Sequence, residues 1–292
     1  MITGSLVELV TPLDADGAPD YLALEGLVDW HVAEGSAGLL VGTEASGAAH
    51  FIPEWRAELL RRAVWQAEGR LAIIADLGME DVDAALETAA MAADVGASGL
   101  LLTVPATGDL TQGNVLRHVE QIVEEAVLPL LVRNRFERPE PPIAAGVRSL
   151  ALIHGLAGFI ECSADPTRAR ELLAMKHSKK DFLLFAGLDE TACRLVLDGF
   201  RGALSVTANV APGPVSRMIA AARAGDVEGA ESIDVSLRPL HEVLLGDAGG
   251  LAMRWALAEL GRLPEGHSPS AGLQPIDYAQ LRRAMRTAQI LG

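Results

Sequence analysis

Eight short, strongly apolar segments recur along the chain, and each is followed by a longer segment whose apolar positions have helical spacing. They begin about 20 to 33 residues apart and are hydrophobic almost throughout, which is typical of strands covered on both faces. The segments span residues 6–13, 38–43, 71–78, 99–105, 128–134, 156–163, 182–187 and 202–207. Eight strand-then-helix units within roughly the first 225 residues predict a (β/α)8 barrel, also called a TIM barrel.

A doubly wound parallel sheet is the alternative arrangement of the same units. No Gly-x-Gly-x-x-Gly sequence follows any of the eight strands, so a dinucleotide site has no support and we expect no cofactor. After residue 213 the pattern is helical without a further strand. We therefore predict a barrel over residues 1–225 and a C-terminal helical extension over 226–292, packed on the barrel or on a neighbouring subunit.

The composition restricts the kind of partner. The chain has 292 residues, 50% of them hydrophobic, and a formal net charge of −15. This acidity argues against nonspecific binding to nucleic acids or anionic membranes, and no apolar stretch reaches the ~20 residues of a transmembrane helix. Two cysteines, Cys162 and Cys193, are too few for a disulfide framework. We expect a cytoplasmic protein, either an enzyme for small molecules or a binding protein.

Polar side chains are concentrated where the predicted strands end. In a (β/α)8 barrel the functional site is built at the carboxyl ends of the strands. The polar residues at these ends are Thr43, Glu44, Ser46, Asp76, Thr103, Arg133, Asn134, Arg135, Arg138, Glu161, Ser163, Asp189, Glu190, Thr207 and Asn209. Each one alone is more simply a loop cap or a solvated rim residue, so it is the cluster that indicates a site.

The segment RNRFER, which begins at Arg133, is the most unusual of these. It contains three arginines within six residues, at the end of a buried strand of an acidic chain. Two interpretations remain open. The arginines suit bidentate recognition of a carboxylate or phosphate. Alternatively, Arg133 pairs with Glu44 or Glu161 across the mouth of the barrel, and no ligand is involved.

Other chemistry has weaker support. The carboxylates of Glu44, Asp76 and Glu161 suit a divalent cation, but no His-x-His or His-x-x-x-His supplies nitrogen ligands, so we expect no metal. Cys162 directly follows Glu161 on the sixth strand, and the two side chains should therefore point to opposite faces. A nucleophilic cysteine needs a basic partner that the sequence does not identify, so a structural thiol fits Cys162 better.

A family resemblance is carried by the segments TGSLVELVTPLDADG, GLVDWHVAEGSAGLLVGT, LPLLVRN, GALSVTANVAPG and RPLHEVLL. They resemble the dihydrodipicolinate synthase / N-acetylneuraminate lyase family over nearly the whole chain. The resemblance implies a (β/α)8 barrel with a C-terminal helical extension, usually assembled as a homotetramer. It also implies a class I lyase or aldolase that binds pyruvate or another 2-keto acid as a Schiff base on a lysine of strand six.

The lysine implied by that resemblance is absent. The strand-six Gly-x-Lys-Glu of the family corresponds here to residues 158–161, with Ile160 in the place of the lysine and Glu161 retained. An isoleucine cannot form an imine. The chain has three lysines, and all of them lie within residues 176–180, after strand six. We therefore expect no Schiff-base chemistry.

Other positions implied by the resemblance have changed as well. The keto-acid-binding Gly-Thr-Thr-Gly-Glu corresponds to residues 42–46, where Thr43 is retained and Glu44 replaces the proton-shuttling threonine. Arg133 replaces the strand-five tyrosine that relays protons, and Asn134 after it is retained. Arg138 aligns with the arginine that binds the carboxylate of the incoming aldehyde in the synthases. These coordinated changes indicate a site that was rebuilt or abandoned.

Three hypotheses for the function follow. The first is a catalytically altered or inactive family member that binds a small carboxylate at the barrel mouth, as a homodimer or homotetramer. The second is a lyase or a hydratase/dehydratase for a small 2-keto or hydroxy acid, with a carboxylate general base and an arginine clamp. The third is an ordinary dihydrodipicolinate synthase-like lyase. The candidate catalytic residues are Glu44, Arg133 and Glu161, and the candidate substrate-binding residues are Thr43, Ser46, Asn134, Arg138 and Asn209.

Overall fold

In the part of the chain that the structure describes, eight parallel strands close into one barrel in chain order. They are β1 (Gly4–Glu8), β2 (Gly38–Val41), β3 (Ala72–Asp76), β4 (Gly99–Val104), β5 (Leu130–Asn134), β6 (Leu156–Glu161), β7 (Leu183–Ala186) and β8 (Gly202–Ser205). β1 pairs with β8 as well as with β2, with Leu6 opposite Leu204. This closure confirms the predicted (β/α)8 barrel and excludes the doubly wound sheet.

The structure is a computed structural model and describes residues 2–14, 16–43, 51–78, 82–104, 113–134, 143–175, 182–245, 250–264 and 278–292. Helices follow the strands and cover the outside of the barrel. They are α1 (Tyr21–Ala33), α2 (Pro53–Ala67), α3 (Val82–Val95), α4 (Gly113–Glu125), α5 (Ile143–Leu152), α6 (Pro166–Met175), α7 (Asp189–Leu197) and α8 (Pro212–Ala224). A short 3-10 helix, Thr207–Asn209, lies between β8 and α8.

The C-terminal extension is helical, as predicted. It consists of α9 (Val227–Leu245), α10 (Leu251–Glu259) and α11 (Tyr278–Thr287), and α9 packs against α7, α8 and α11. The predicted division after residue 225 falls between α8 and α9 and, as a domain boundary, stays a prediction. Within the described ranges, no helix is both long enough and apolar enough to cross a membrane.

The strands alternate between two apolar layers, which explains their nearly continuous hydrophobicity. Outward side chains such as Val7, Ile73 and Phe159 belong to the large core beneath the helices. Inward side chains form a separate apolar cluster inside the barrel, namely Leu6, Leu40, Ile74, Leu101, Leu131, Ile160, Leu183, Phe185 and Leu204. The interpretation of these strands as covered on both faces is therefore confirmed.

On five of the eight strands, the next inward position toward the carboxyl end is occupied by a polar residue or a cysteine. The inward position recurs every two residues, about 6.6 Å further along a strand. The positions after Leu6, Ile74, Leu101, Leu131 and Ile160 are occupied by Glu8, Asp76, Thr103, Arg133 and Cys162. We call these last five residues the polar layer. It lies between the apolar interior and the mouth of the barrel.

The first strand is shorter than its hydrophobic pattern predicted. The apolar segment runs over residues 6–13, whereas β1 ends at Glu8. The backbone N–H of Val10 donates to Oδ1 of Asn209 at 2.8 Å instead of to a neighbouring strand. Leu9 and Val10 are nevertheless buried in the core beneath the helices. The N–H of Leu9 still donates to the carbonyl of Leu40 on β2 at 3.0 Å, so the burial of Val10 continues beyond the last strand-pairing bond.

Candidate functional site

Arg133 extends from β5 into the barrel interior and has two polar partners there. Its Nη1 donates to Oε2 of Glu8 at 2.8 Å, and its Nε and Nη2 donate to Oγ1 of Thr103 at 3.2 and 3.1 Å. Only 9% of each charged side chain, that of Arg133 and that of Glu8, is exposed. Burial tends to lower the pKa of Arg133, but the carboxylates of Glu8 and Asp76 outweigh it and the pKa is raised. The guanidinium therefore stays charged inside the barrel.

The observed partner of Arg133 is Glu8, which neither alternative had named. The alternative pair with Glu161 is wrong, because Glu161 is bonded to Arg168, and the alternative pair with Glu44 involves a residue outside the described ones. Strand-end reasoning missed Glu8 because it occurs within the first apolar segment rather than after it. The available signal was a single carboxylate inside an otherwise apolar strand, since such a residue needs a buried partner.

Ile160 lies directly beside Arg133 in the inner wall. The register of β4, β5, β6 and β7 places Thr103, Arg133, Ile160 and Phe185 in one row of paired positions. Ile160 is 1% exposed and belongs to the apolar interior. The wall is closely packed, since a Cβ added at Gly187 would lie 2.9 Å from Cγ2 of Ile160. An aliphatic side chain therefore fills the inward position of strand six.

Asp76 is the second carboxylate of the polar layer. Its Oδ1 accepts a long hydrogen bond of 3.3 Å from the N–H of Gly78, whose carbonyl in turn accepts the N–H of Thr103. Burial raises the pKa of Asp76 to about 6, and the charge of Arg133 opposes this rise while that of Glu8 adds to it. Asp76 is therefore a carboxyl group that exchanges its proton close to neutral pH.

Glu161 points away from the interior and is bonded to a helix. Both of its carboxylate oxygens accept from Nη2 of Arg168 on α6, at 2.8 and 3.1 Å, and the residue is fully buried. Burial raises the pKa of Glu161 while Arg168 opposes the rise. Cys162 packs against the inner cluster, which confirms that the two neighbouring side chains face opposite ways. The catalytic role of Glu161 stays a prediction, and its observed contact is a structural ion pair.

Of the three candidate metal ligands, Glu44 lies outside the described residues, and Asp76 and Glu161 are not brought together. Asp76 continues the inward series of β3, whereas Glu161 faces outward from β6. Across the described ranges, no group of three or more His, Cys, Asp or Glu side chains is arranged to hold a metal ion. The geometry of these residues therefore gives no basis for metal chemistry.

A cavity of about 460 Å³ lies at the mouth above the polar layer. Glu8, Arg133 and Cys162 border it from the barrel, and His241 on α9 and Met253 on α10 border it from the C-terminal extension. The extension therefore contributes directly to the wall of the site. A small molecule in this cavity would meet one buried cation, Arg133, at its base.

Several polar groups at the rim hold the end of β8 in place. Oδ2 of Asp189 accepts the N–H groups of Val206 and Thr207 at 3.0 and 2.9 Å, and its Oδ1 accepts from the hydroxyl of Ser205. Oγ1 of Thr207 is bonded to Nδ1 of His241 at 2.8 Å. These bonds connect α7, the end of β8 and α9, so these polar residues serve the structure of the rim.

The predicted substrate-binding residues have different positions. Asn209 is fully buried, and its amide bonds three backbone groups, the N–H of Val10 and the carbonyls of Glu8 and Val206. Thr43 is buried just after β2. Asn134 is the last residue of β5, and its side chain is not among the described ones. Glu44, Ser46 and Arg138 lie outside the described residues. Substrate binding by this set stays a prediction.

The fold and the site together define a class of protein. It is a (β/α)8 barrel with a C-terminal helical extension and a mouth that holds a buried arginine between carboxylates. The profile of the dihydrodipicolinate synthetase family matches residues 1–288. The chain belongs to this family. Two relatives named 4-hydroxy-tetrahydrodipicolinate synthase, from Pseudomonas aeruginosa and Stutzerimonas stutzeri, are 36% and 37% identical to it over 294 residues, covering 100% of both chains.

Solved structures show the same architecture. The chloride-inhibited dihydrodipicolinate synthase from Acinetobacter baumannii, complexed with pyruvate, has a TM-score of 0.89 at 30% identity and covers 100% of both chains. The dihydrodipicolinate synthase from Aquifex aeolicus also has a TM-score of 0.89, at 27% identity, covering 99% of this chain and 98% of that one. The similarity therefore includes both the barrel and the C-terminal extension.

Proposed function

We propose that this family member works without a lysine imine and binds a small carboxylic acid noncovalently at the mouth of its barrel. The observation that carries the proposal is the pairing of Arg133 with Ile160 on adjacent strands. The family resemblance assigns the imine-forming lysine to position 160, and the side chain there is a buried isoleucine. An isoleucine has no nitrogen that could condense with a carbonyl, whereas a guanidinium binds carboxylates through its N–H groups.

The positions of the lysines in the chain support this proposal. All three lie within residues 176–180, between α6 and β7 and outside the described residues. In chain order these lysines come after α6 and before the amino end of β7, whereas the polar layer lies at the carboxyl ends of the strands.

Arg133 retains capacity for a ligand. A guanidinium has five N–H groups, and the bonds to Glu8 and Thr103 use three of them. The remaining two are on Nη1 and Nη2, and Arg133 borders the mouth cavity. A small 2-keto or hydroxy acid suits such donors. Pyruvate is the natural probe because the similar Acinetobacter synthase was crystallised with it.

Reductive trapping tests the absence of an imine. The protein is incubated with pyruvate and sodium borohydride, and its intact mass is measured. We expect the mass to remain unchanged, while calorimetry in the same buffer without borohydride detects pyruvate binding. A mass increase equal to one reduced pyruvate would overturn the proposal.

A matched pair of variants calibrates this assay. Ile160→Lys places an amine in the apolar wall, where burial lowers the pKa of a lysine and leaves it neutral and nucleophilic. We expect this variant to form the borohydride-stable adduct. Ile160→Leu keeps the wall aliphatic and should form none. An adduct in both variants would locate the reactive amine elsewhere in the chain.

The names of the relatives favour a second candidate, an ordinary synthase-like lyase. Such a lyase needs a covalent intermediate on a lysine of this chain. Formation of 4-hydroxy-tetrahydrodipicolinate by the purified protein, together with a trapped pyruvate adduct, would establish this function. If neither product is detected, the imine-free function is supported.

A third candidate is an imine-free lyase or hydratase/dehydratase, and the presence of Asp76 and Arg133 in one polar layer favours it. In this candidate Asp76 stays ionised in the complex and is the general base in place of Glu161, because Glu161 is bonded to Arg168 on the outer face. Proton abstraction from pyruvate would exchange its methyl hydrogens in heavy water. The measurement is the loss of the methyl signal by proton NMR, compared between the wild type and Asp76→Asn.

The assembly predicted from the sequence stays a proposal. We expect a homodimer or homotetramer in the cytoplasm. Several large apolar side chains are strongly exposed on the described surface of one chain, including Leu22, Trp65 and Leu245. Sedimentation equilibrium would measure the assembly directly, and a monomer at micromolar concentration would contradict it.

A further inference from the structure

We propose that Asp76 couples the barrel mouth to protons, so that each small carboxylate bound at Arg133 is accompanied by the uptake of one proton at Asp76. The inference rests on the proposed function, since it concerns the anion that Arg133 holds. Asp76 is a positioning residue in this account. It acts through the charge of Arg133 and does not need to touch the ligand.

The polar layer contains more negative than positive charges. Among the described residues of this layer there is one cation, Arg133, and there are two carboxylates, Glu8 and Asp76. Glu8 is bonded directly to Arg133, whereas the hydrogen bond of Asp76 comes from the neutral N–H of Gly78. With both carboxylates ionised the layer has one excess negative charge.

A ligand anion would increase this imbalance. It would be the third negative charge around one guanidinium, in a part of the barrel where charges are poorly screened by water. Protonation of one carboxylate cancels the charge that the ligand adds and restores the single excess negative charge of the free layer. Glu8 is the direct ion-pair partner of Arg133 at 2.8 Å, whereas Asp76 accepts only from the neutral N–H of Gly78, so the proton is expected on Asp76.

The electrostatic surroundings of Asp76 agree with this assignment. Burial raises its pKa to about 6, with Glu8 on β1 adding to the rise, while Arg133 on β5 and Arg56 on α2 oppose it. Thr103 on the adjacent strand β4 is neutral. A ligand anion near Arg133 would raise the pKa of Asp76 further, since like charges disfavour the ionised form. Near neutral pH, Asp76 is then ionised in the free protein and protonated in the complex.

A second cavity gives Asp76 a route to water. It has a volume of about 660 Å³ and lies beside α2 and α3, with Asp76 and Arg56 on its wall. Glu54 on α2 and Glu87 on α3 border the same cavity and are exposed, so solvent screens their charges. Asp76 can therefore exchange a proton without passing through the ligand at the mouth.

Calorimetry with pyruvate tests the coupling. Titrations near neutral pH in phosphate and in Tris, which differ in ionisation enthalpy, give the number of protons taken up per pyruvate. We expect about one, and we expect the affinity to fall up to tenfold per pH unit above about pH 6. Asp76→Asn should abolish both effects and bind pyruvate at least tenfold more tightly than the wild type at about pH 8. Glu87→Gln removes an exposed carboxylate from the same outer cavity and should behave like the wild type.

The outcomes separate this inference from the proposed function. If the wild type binds pyruvate without taking up a proton, the coupling is overturned and the imine-free function stands. The same holds if Asp76→Asn takes up as many protons per pyruvate as the wild type. A borohydride-stable pyruvate adduct on the wild type overturns the proposed function instead. Absence of pyruvate binding between about pH 5 and pH 8 overturns both. If Asp76→Asn does not fold, the number of protons that the wild type takes up per pyruvate, measured in the two buffers, still tests the coupling.

Discussion

Nη1 of Arg133 and Oε2 of Glu8 lie 2.8 Å apart, although their strands are on opposite sides of the barrel. β5 and β1 are separated by three strands in either direction around the closed sheet. The ion pair therefore crosses the interior and closes the top of the apolar layer. Its two members are 125 residues apart in the chain.

Arg133→Leu should lower the free energy of unfolding by about 3–5 kcal/mol, because the buried carboxylate of Glu8 loses its cation. Urea denaturation measures the change. The double variant Glu8→Leu/Arg133→Leu removes both charges and should recover much of the loss. If the double variant is as unstable as the sum of the two single variants, the pair is not coupled. The double variant should also fail to bind pyruvate, which separates the loss of the arginine from unfolding.

Arg168→Met should also destabilise the protein, by about 3 kcal/mol at neutral pH, because it leaves Glu161 charged and buried. The effect should shrink as the pH falls and Glu161 becomes protonated. Arg194→Met is the matched control, since its ion pair with Asp198 is exposed and is worth about 0–1 kcal/mol. Equal effects of the two substitutions in urea denaturation would contradict the structural role of the buried pair.

His31 should make the protein sensitive to acid. Its Nδ1 is bonded to the hydroxyl of Ser36 at 2.9 Å, and burial lowers its pKa to about 3. Between about pH 6.5 and pH 3 the unfolded chain binds a proton that the folded protein does not, so stability falls as the pH falls. The loss approaches about 5 kcal/mol at the acid limit.

His31→Gln tests this pH dependence. The difference in unfolding free energy between wild type and variant, measured across the acid range, should follow the predicted loss. His154→Gln changes an exposed histidine and should leave the profile of the wild type unaltered. A His31→Gln profile parallel to that of the wild type would show that His31 does not titrate on unfolding.

Asn209→Ala should cost about 2–4 kcal/mol of stability, since it leaves the N–H of Val10 and the carbonyls of Glu8 and Val206 without their partner. Asn209→Asp keeps an acceptor for Val10 but buries a carboxyl group that faces the carbonyls of Glu8 and Val206, so we expect a loss at least as large as that of Asn209→Ala. Thermal unfolding measures both. Unchanged stability together with weaker pyruvate binding would instead assign Asn209 to the ligand, as the sequence suggested.

The barrel could be predicted from the sequence because the burial of a strand is visible in the hydrophobicity of consecutive residues. The eight apolar segments correspond to the eight strands, since strands covered on both faces are hydrophobic at every position. Their ends were less predictable. Val10 is as apolar as the strand that precedes it, but it packs in the core after the last strand-pairing bond, which Leu9 donates to Leu40. Local hydrophobicity does not distinguish these two kinds of burial.

The candidate site was only partly predictable for a related reason. RNRFER indicated a charged residue at the end of a buried strand, and Arg133 is indeed buried with a carboxylate partner. The partner could not be identified, because Glu8 is brought to Arg133 by closure of the sheet and not by proximity in sequence. Glu161 appeared equally suitable, and the alternation of β6 directs it to Arg168 instead.

The order of residues along the chain thus determined the kind of fold, the absence of a lysine from the strand ends and the presence of an arginine on strand five. Only the tertiary structure decided which carboxylates share that arginine. The reason is geometric: alternation selects the side of the sheet, and barrel closure selects the neighbours across the interior. Neither the pairing of Glu8 with Arg133 nor the electrostatic influence of Arg133 on Asp76 is encoded by local spacing.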